Sequence, residues 1–203
     1  LIDRAKGSSP RKMAVAAAED EHVLKAVRDA LQQGVATPLL IGNKEEITRI
    51  AQTVGLDLDG LDIIDNRSGA AASAQIAVSK VKNGEADFLM KGFVSTGELL
   101  KAVLDKEQGL RTGRLLSHVA FFQSPYYHKV LGVTDAAMNI APTLEEKAQL
   151  IRNAVDACRR LGIEHPKVAA VAAVETVNPK MEATIHASRL AEMNREGTLT
   201  GCT

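Results

Sequence analysis

Four side chains at one strand-to-helix junction carry the first chemical suggestion. Lys91, Gly92, Ser95 and Thr96 lie in DFLMKGFVSTGELL, where the apolar run Phe88–Met90 gives way to a helical pattern. Free N–H groups at a helix start, together with the helix dipole, attract anions. Glycine lets backbone approach a phosphate, and a lysine adds a compact positive charge. The four residues therefore suit a phosphate or carboxylate. A second reading stays open, in which Lys91 is solvated, Gly92 is an ordinary turn and Ser95 merely caps the helix. The spacing is not that of a Walker loop, and no GxGxxG follows a strand, so nicotinamide binding has no direct support.

Three further groups sit where strands end. In GLRTGRLLSH, Arg111 and Arg114 flank Thr112-Gly113 between a helix and a strand. Two guanidiniums in one loop can grip phosphate groups bidentately, or can simply be exposed surface arginines. In VTDAAMNIAPTLEEK, Asp135 and Asn139 follow a strand and either orient a substrate or satisfy their own loop backbone. In VETVNPKM, Glu175, Asn178 and Lys180 follow another apolar run, where a helix-terminal cap is the plainer role.

The histidines are scattered, and only His118, after Ser117, invites a catalytic reading. Adjacent strand residues point to opposite faces, so those two cannot form a nucleophile–base pair with each other. No HExxH or Cys/His cluster occurs, and no metal site is expected. Cys158 and Cys202 belong to no CxxC pair and read as reduced thiols.

The elements that must position these residues alternate from the start. Met13–Ala18 reads as a strand, followed by a helix over Glu21–Gln33 whose Val23, Leu24, Val27, Ala30 and Leu31 form one buried stripe. Strands over Thr37–Ile41 and Leu61–Asp65 and helices over Lys44–Val54 and Gly69–Lys82 come next, and the Lys91 stretch is the fourth unit. Such repetition predicts a parallel sheet covered by helices on both faces. After Gly109 the pattern changes. Leu115–Gln123 and Lys129–Thr134 read as two strands joined at Ser124-Pro125. Phe121, Phe122, Tyr126 and Tyr127 lie there, packing the hairpin or stacking on a ligand. Thr143 with Glu146 fits a capping box opening a helix to Leu161. Lys167–Glu175 reads as a buried strand, and Ala183–Arg195 as the last helix. The expected organisation is a first α/β domain over residues 1–130 and part of a second over 131–203.

The 203 residues carry 25 Lys plus Arg against 25 Asp plus Glu. That neutrality argues against nucleic-acid binding, which draws on a basic surface. Hydrophobic residues at 45% are ordinary for a globular protein. No apolar run reaches the roughly 20 residues of a membrane span. The two cysteines, read as reduced thiols, make a cytoplasmic location the expectation. The opening LIDRAKGSSPRKMAV reads as a helix end and linker, and EGTLTGCT stops where a strand would begin. Both ends are expected to be cut.

Taken in order, KMAVAAAEDEHVLKAVRDA, MKGFVST, GLRTGRLLSHVAFF, VTDAAMNIAPTLEEK and GIEHPKVAAVAAVETVNPKM resemble the phosphate acetyl/butyryltransferase family, most of all its butyryl branch. The resemblance covers essentially the whole chain. It implies a three-layer α/β/α fold like that of isocitrate and isopropylmalate dehydrogenases, with two domains and a cleft. It implies the reaction acyl-CoA plus phosphate to acyl phosphate plus CoA, by direct transfer in a ternary complex. Coenzyme A thioester is then a substrate, with no bound cofactor, and a homodimer or larger homo-oligomer is expected. On this basis Lys91, Gly92, Ser95 and Thr96 hold phosphate or CoA, and Arg111, Thr112 and Arg114 join them. Asp135, Asn139 and Glu175 become polar groups of the cleft. The acetyl branch lacks the lysine in the matching turn, which suggests a role particular to the butyryl branch. The family's Ser-Arg pair and following Asp have no counterpart among these residues, so no general base is named, and a chain truly ending at Thr203 is expected to be inactive. Two other readings are an acyl-CoA-sensing or oligomerisation domain of the same fold, and a metal-dependent hydroxy-acid dehydrogenase relative.

Overall fold

A computed structural model describes residues 5, 6 and 9–203. Most of the segment expected to precede the first strand lies outside the described residues. The chain divides into two compact units, up to Thr112 and from Gly113 onward.

The first unit is built on four parallel strands: β1 (Arg11–Ala16), β2 (Ala36–Gly42), β3 (Asp62–Asp65) and β4 (Phe88–Lys91). They lie in the order β3-β2-β1-β4. Four helices connect and follow them: α1 (Glu21–Gln32), α2 (Lys44–Val54), α3 (Ala70–Lys82) and α4 (Thr96–Val103). The two-residue period of β1 sorts its side chains between the layers. Met13 and Val15 join a core with Leu24 and Val27 of α1 and Ile47, Ala51 and Val54 of α2. Ala14 and Ala16 join another with Ala74, Ala77 and Val78 of α3 and Ala102 of α4. Alanine facing alanine lets α3 lie close to the sheet. Each buried Leu or Val contributes roughly 1.5–3 kcal/mol of transfer free energy, so these two cores hold the unit together.

Local caps set the helix ends. Asp20 accepts from the Val23 N–H, and Asn43 from the N–H groups of Glu45 and Glu46. Gly55, at φ 69°, closes α2 in the left-handed conformation. β1 ends two residues earlier than expected because Ala17 turns the chain at φ 56°. It begins two residues earlier because Arg11 and Lys12 pair with Ala36 and Thr37.

The second unit holds an antiparallel hairpin, β5 (Ala120–Ser124) and β6 (Tyr127–Val133), and two helices, α5 (Leu144–Arg160) and α6 (Glu182–Arg195). Its core is smaller: Ala148, Ile151 and Val155 of α5 meet Leu190 and Leu199. Thr143 and Glu146 form the expected capping box. Cys158 and Cys202 are free thiols.

The residues leading into the hairpin are bonded to α5: Arg114 pairs with Asp156 at 2.9 Å, and Asn153 donates to Leu115 O at 2.8 Å. Two expectations change here. The first hairpin strand starts at Ala120 and not Leu115, since Leu115–His118 is held by side chains instead of a neighbouring strand. Lys167–Glu175 is neither buried nor a strand: Val171 is 91% exposed. Among the described residues, no helix is long and apolar enough to cross a membrane.

Candidate active site

All four strands of the first sheet point the same way, so their C-terminal ends share one edge. From β1 the chain moves outward through β2 to β3, then returns to place β4 on the other side of β1. The β1/β4 junction is therefore the point where strand order reverses, the usual place for a ligand in an open parallel sheet. The loop after β4 arrives there.

That loop is tied to the end of β1 through backbone. Gly92 N–H donates to Ala16 O at 2.9 Å, and Phe93 N–H to Ala17 O at 2.7 Å. A β-carbon on Gly92 would fall 2.2 Å from Ala17 O and 2.3 Å from Ala16 O. Glycine is required at this position, but the close approach is to β1 and its N–H is already engaged.

Ser95 is likewise engaged. Its hydroxyl donates to Glu98 Oε2 at 2.6 Å and accepts from the Glu98 N–H at 3.2 Å, completing a capping box for α4. The Ser95 hydroxyl, followed by its backbone N–H, holds the Glu98 carboxyl below its ordinary range. A carboxylate thus already occupies this helix N-terminus. Thr96, the first helical residue, is exposed.

Lys91 differs from its neighbours. It closes β4, is exposed, and its Nζ lies 3.4 Å from Gly92 O. Among the described residues it forms no ion pair. Beside it Phe93 is 69% exposed, an unusual cost for an aromatic ring in a tight loop. Sequence spacing did not single out Phe93, since an aromatic after a glycine reads equally well as core. Glu19, past the end of β1, was also missed. Its Oε2 is buried without a partner and would lie 1.8 Å from a β-carbon on Gly42.

A larger hollow, about 480 Å³, lies farther along the same edge beside β3, among Lys44, Arg49, Asp65 and Arg67. Its arginines are committed: Arg67 to Glu45 at 2.8 Å and Asp65 at 3.3 Å, Arg49 to Glu46 at 2.7 Å. None of the residues expected from sequence lines it.

Arg111 and Thr112 end the first unit, both exposed, and Arg111 forms no ion pair among the described residues. Arg114 begins the second unit's network through Asp156. In that unit Asp135 is a loop organiser. It accepts from the N–H groups of His118, Ala137 and Met138 at 3.0, 2.9 and 2.8 Å, and from Asn139 Nδ2 at 2.7 Å. Burial alone would raise its carboxyl, but the N–H groups of Ala137, His118 and Met138 and the Asn139 amide outweigh this and hold it well below the usual range. Asn139 also donates to Leu116 O at 3.1 Å. With four donors on it, Asp135 is a poor proton acceptor at neutral pH. Glu175 is exposed and lines a hollow of about 370 Å³ with Thr184 and Ser188 of α6.

The sequence profile of the phosphate acetyl/butaryl transferase family matches residues 1–75 and 70–202. The chain belongs to this family. Phosphate butyryltransferase of Clostridium acetobutylicum is 43% identical over 202 residues, covering 100% of this chain and 67% of its own length. Phosphate acetyltransferase of Thermotoga maritima is 43% identical with 100% and 68% coverage, and a probable phosphate butyryltransferase of Bacillus subtilis 45% identical with 100% and 67%. This member of the family therefore spans about two thirds of the length of those relatives. A branched-chain phosphotransacylase from Enterococcus faecalis V583 superposes with a TM-score of 0.74 at 31% identity, covering 95% of this chain and 66% of that one. A phosphotransacetylase from Staphylococcus aureus, 16% identical with a TM-score of 0.72, shares the fold over 99% of this chain and 70% of its own.

Proposed function

We propose that this chain carries the phosphate-handling part of a phosphate acyltransferase that interconverts acyl-CoA plus phosphate with acyl phosphate plus CoA. Family membership supports the reaction class, and the names of the relatives favour it over the sensor and dehydrogenase readings. The observation that carries the site is Lys91, an exposed ammonium without an ion pair among the described residues, at the strand-order reversal of a parallel sheet.

In this reading Lys91 holds a phosphate dianion or a CoA phosphate as a point charge. Arg111 offers a second cation, and Thr96 a hydroxyl donor. Gly92 and Ser95 act indirectly: one lets the loop seat against β1, the other fixes α4. The Phe93 ring covers the apolar part of the thioester, Asp135 and Asn139 hold the second unit's loop in shape, and Glu175 contributes an exposed polar group. A phosphate oxygen attacks the thioester carbonyl, and the tetrahedral oxyanion collapses with loss of the C–S bond. The thiolate, from a thiol of pKa about 8.5, then takes up a proton. Positioning and charge do most of the work, and no acyl-enzyme is needed. The acyl group is short or branched, in keeping with the relatives. The reading includes the isocitrate and isopropylmalate dehydrogenase-like two-domain plan, with a first α/β domain over residues 1–130 and part of a second over 131–203. It also includes a cytoplasmic homo-oligomer, which the exposed Phe122, Tyr126, Tyr127 and Val133 of the hairpin support.

Release of free thiol from butyryl-CoA, with and without phosphate, tests the reaction. Phosphate-dependent release supports it, and release without phosphate overturns it. Calorimetric titration with CoA and with phosphate tests the site: Lys91→Ala should weaken one of them roughly tenfold or more, with an unchanged melting temperature. Unchanged affinity for both would remove Lys91 from the site.

A further inference from the structure

Among the described residues of the first unit, no large apolar side chain is more exposed than Phe93, at 69%. Its place in the loop is nonetheless fixed. The Phe93 N–H donates to Ala17 O at 2.7 Å, and the Val94 N–H donates to Gly92 O at 2.9 Å. Residues 92–94 thus form a three-residue turn with Phe93 at its apex. Gly92 is seated against the β1 carbonyls, and Val94 is buried in the core with Ala14, Ala16 and Ala102. With both neighbours held inward, the Phe93 ring leaves the loop on its outer side, as the exposed Lys91 does. A turn apex in water is ordinarily filled by Gly, Asn, Asp or Ser. Nothing in the fold uses the ring that stands there instead.

We propose that Phe93 is a specificity-determining residue: the acyl chain of the thioester lies on its ring, and this contact favours butyryl over acetyl. The inference rests on the transferase reading above, with Lys91 holding the attacking phosphate and not a phosphate of CoA. In that transfer a phosphate oxygen bonds to the carbonyl carbon, so the acyl group and the phosphate must touch. The adenosine end lies away at the far end of the pantetheine arm. An apolar ring two residues from the ammonium that holds the phosphate therefore meets the acyl chain and not the adenine. Acetyl offers the ring one methyl group. Butyryl adds two methylenes, each worth up to about fourfold in affinity when covered.

Calorimetric titration with CoA, acetyl-CoA and butyryl-CoA in phosphate-free buffer tests this, because transfer then lacks its acceptor and binding alone is read. The unsubstituted chain should bind butyryl-CoA at least about fivefold more tightly than acetyl-CoA. Phe93→Ala should bring that ratio to within about twofold. Phe93→Leu, smaller but still apolar, should keep about half of the preference, and it decides the matter if the alanine variant melts early. A ratio near one in the unsubstituted chain, or a ratio that neither variant changes, overturns the proposal and leaves the transferase reading standing. Equal weakening of all three ligands by Phe93→Ala overturns it as well, since the ring would then stack on the adenosine end. Failure of the folded, unsubstituted chain to bind any of the three overturns the transferase reading, and the proposal with it.

Discussion

β1 and the Lys167–Val177 segment are near twins in composition and opposites in circumstance. KMAVAAA and KVAAVAA are both apolar runs, mostly alanine and valine, after a lysine. Ala14, Val15 and Ala16 are fully buried between β2 and β4, while Val171 is almost fully exposed. An apolar run makes a strand possible, and neighbours make it one. In the first unit both neighbours are present and two helical layers cover the faces. In the second, side chains do the fastening: Asn153, Asn139 and Asp135 secure Leu115–His118 by bonds to its backbone.

The sharpest way to break this comparison is to put the same charge in both runs. Val15→Asp should cost at least about 4 kcal/mol and abolish cooperative melting of the first unit. Val171→Asp should stay within about 0.5 kcal/mol. Equal losses, read by urea titration, would show that the second run is covered in solution. Next in size is Gly92→Ala, which forces a methyl group into two β1 carbonyls and should cost about 2–3 kcal/mol, read as a lowered melting temperature.

Asp135 probes the second unit's way of holding together. Asp135→Asn should lose about 2 kcal/mol, read by chemical denaturation. Its carboxyl titrates lower folded than unfolded, where the ordinary value is about 3.9. The stabilisation is complete above that unfolded value and is lost as pH falls through the folded one. Acid unfolding of the second unit should lose this dependence in the Asn variant. The smallest effect sharpens the contrast: Ser95→Ala and Thr143→Ala remove the same kind of capping box from each unit, and each should cost about 1 kcal/mol.

Helices were readable because their determinants are local. The Asn43 cap, the Gly55 stop and the Thr143–Glu146 box each act within one or two turns, and Lys44–Val54 was placed to the residue. Strands were less so. Leu115–Gln123 shrank to Ala120–Ser124, and Lys167–Glu175 did not form, because pairing depends on residues far away in sequence. The polar loop residues stand where strands end, but spacing does not separate their duties. Ser95, engaged by Glu98, and Lys91, free of ion pairs among the described residues, sit four residues apart. Only coordinates distinguish a hydroxyl already in use from an ammonium that is available. Glu19 left no trace in the sequence because its isolation comes from a glycine on another strand.

The two thiols have a practical bearing. Burial pushes Cys158 up, and pushes Cys202 up against the opposing charge of Arg159. Both are therefore protonated at neutral pH and slow toward disulfide dyes. A colorimetric trace of sulfur released from butyryl-CoA would rise over a low, steady baseline contributed by the protein itself.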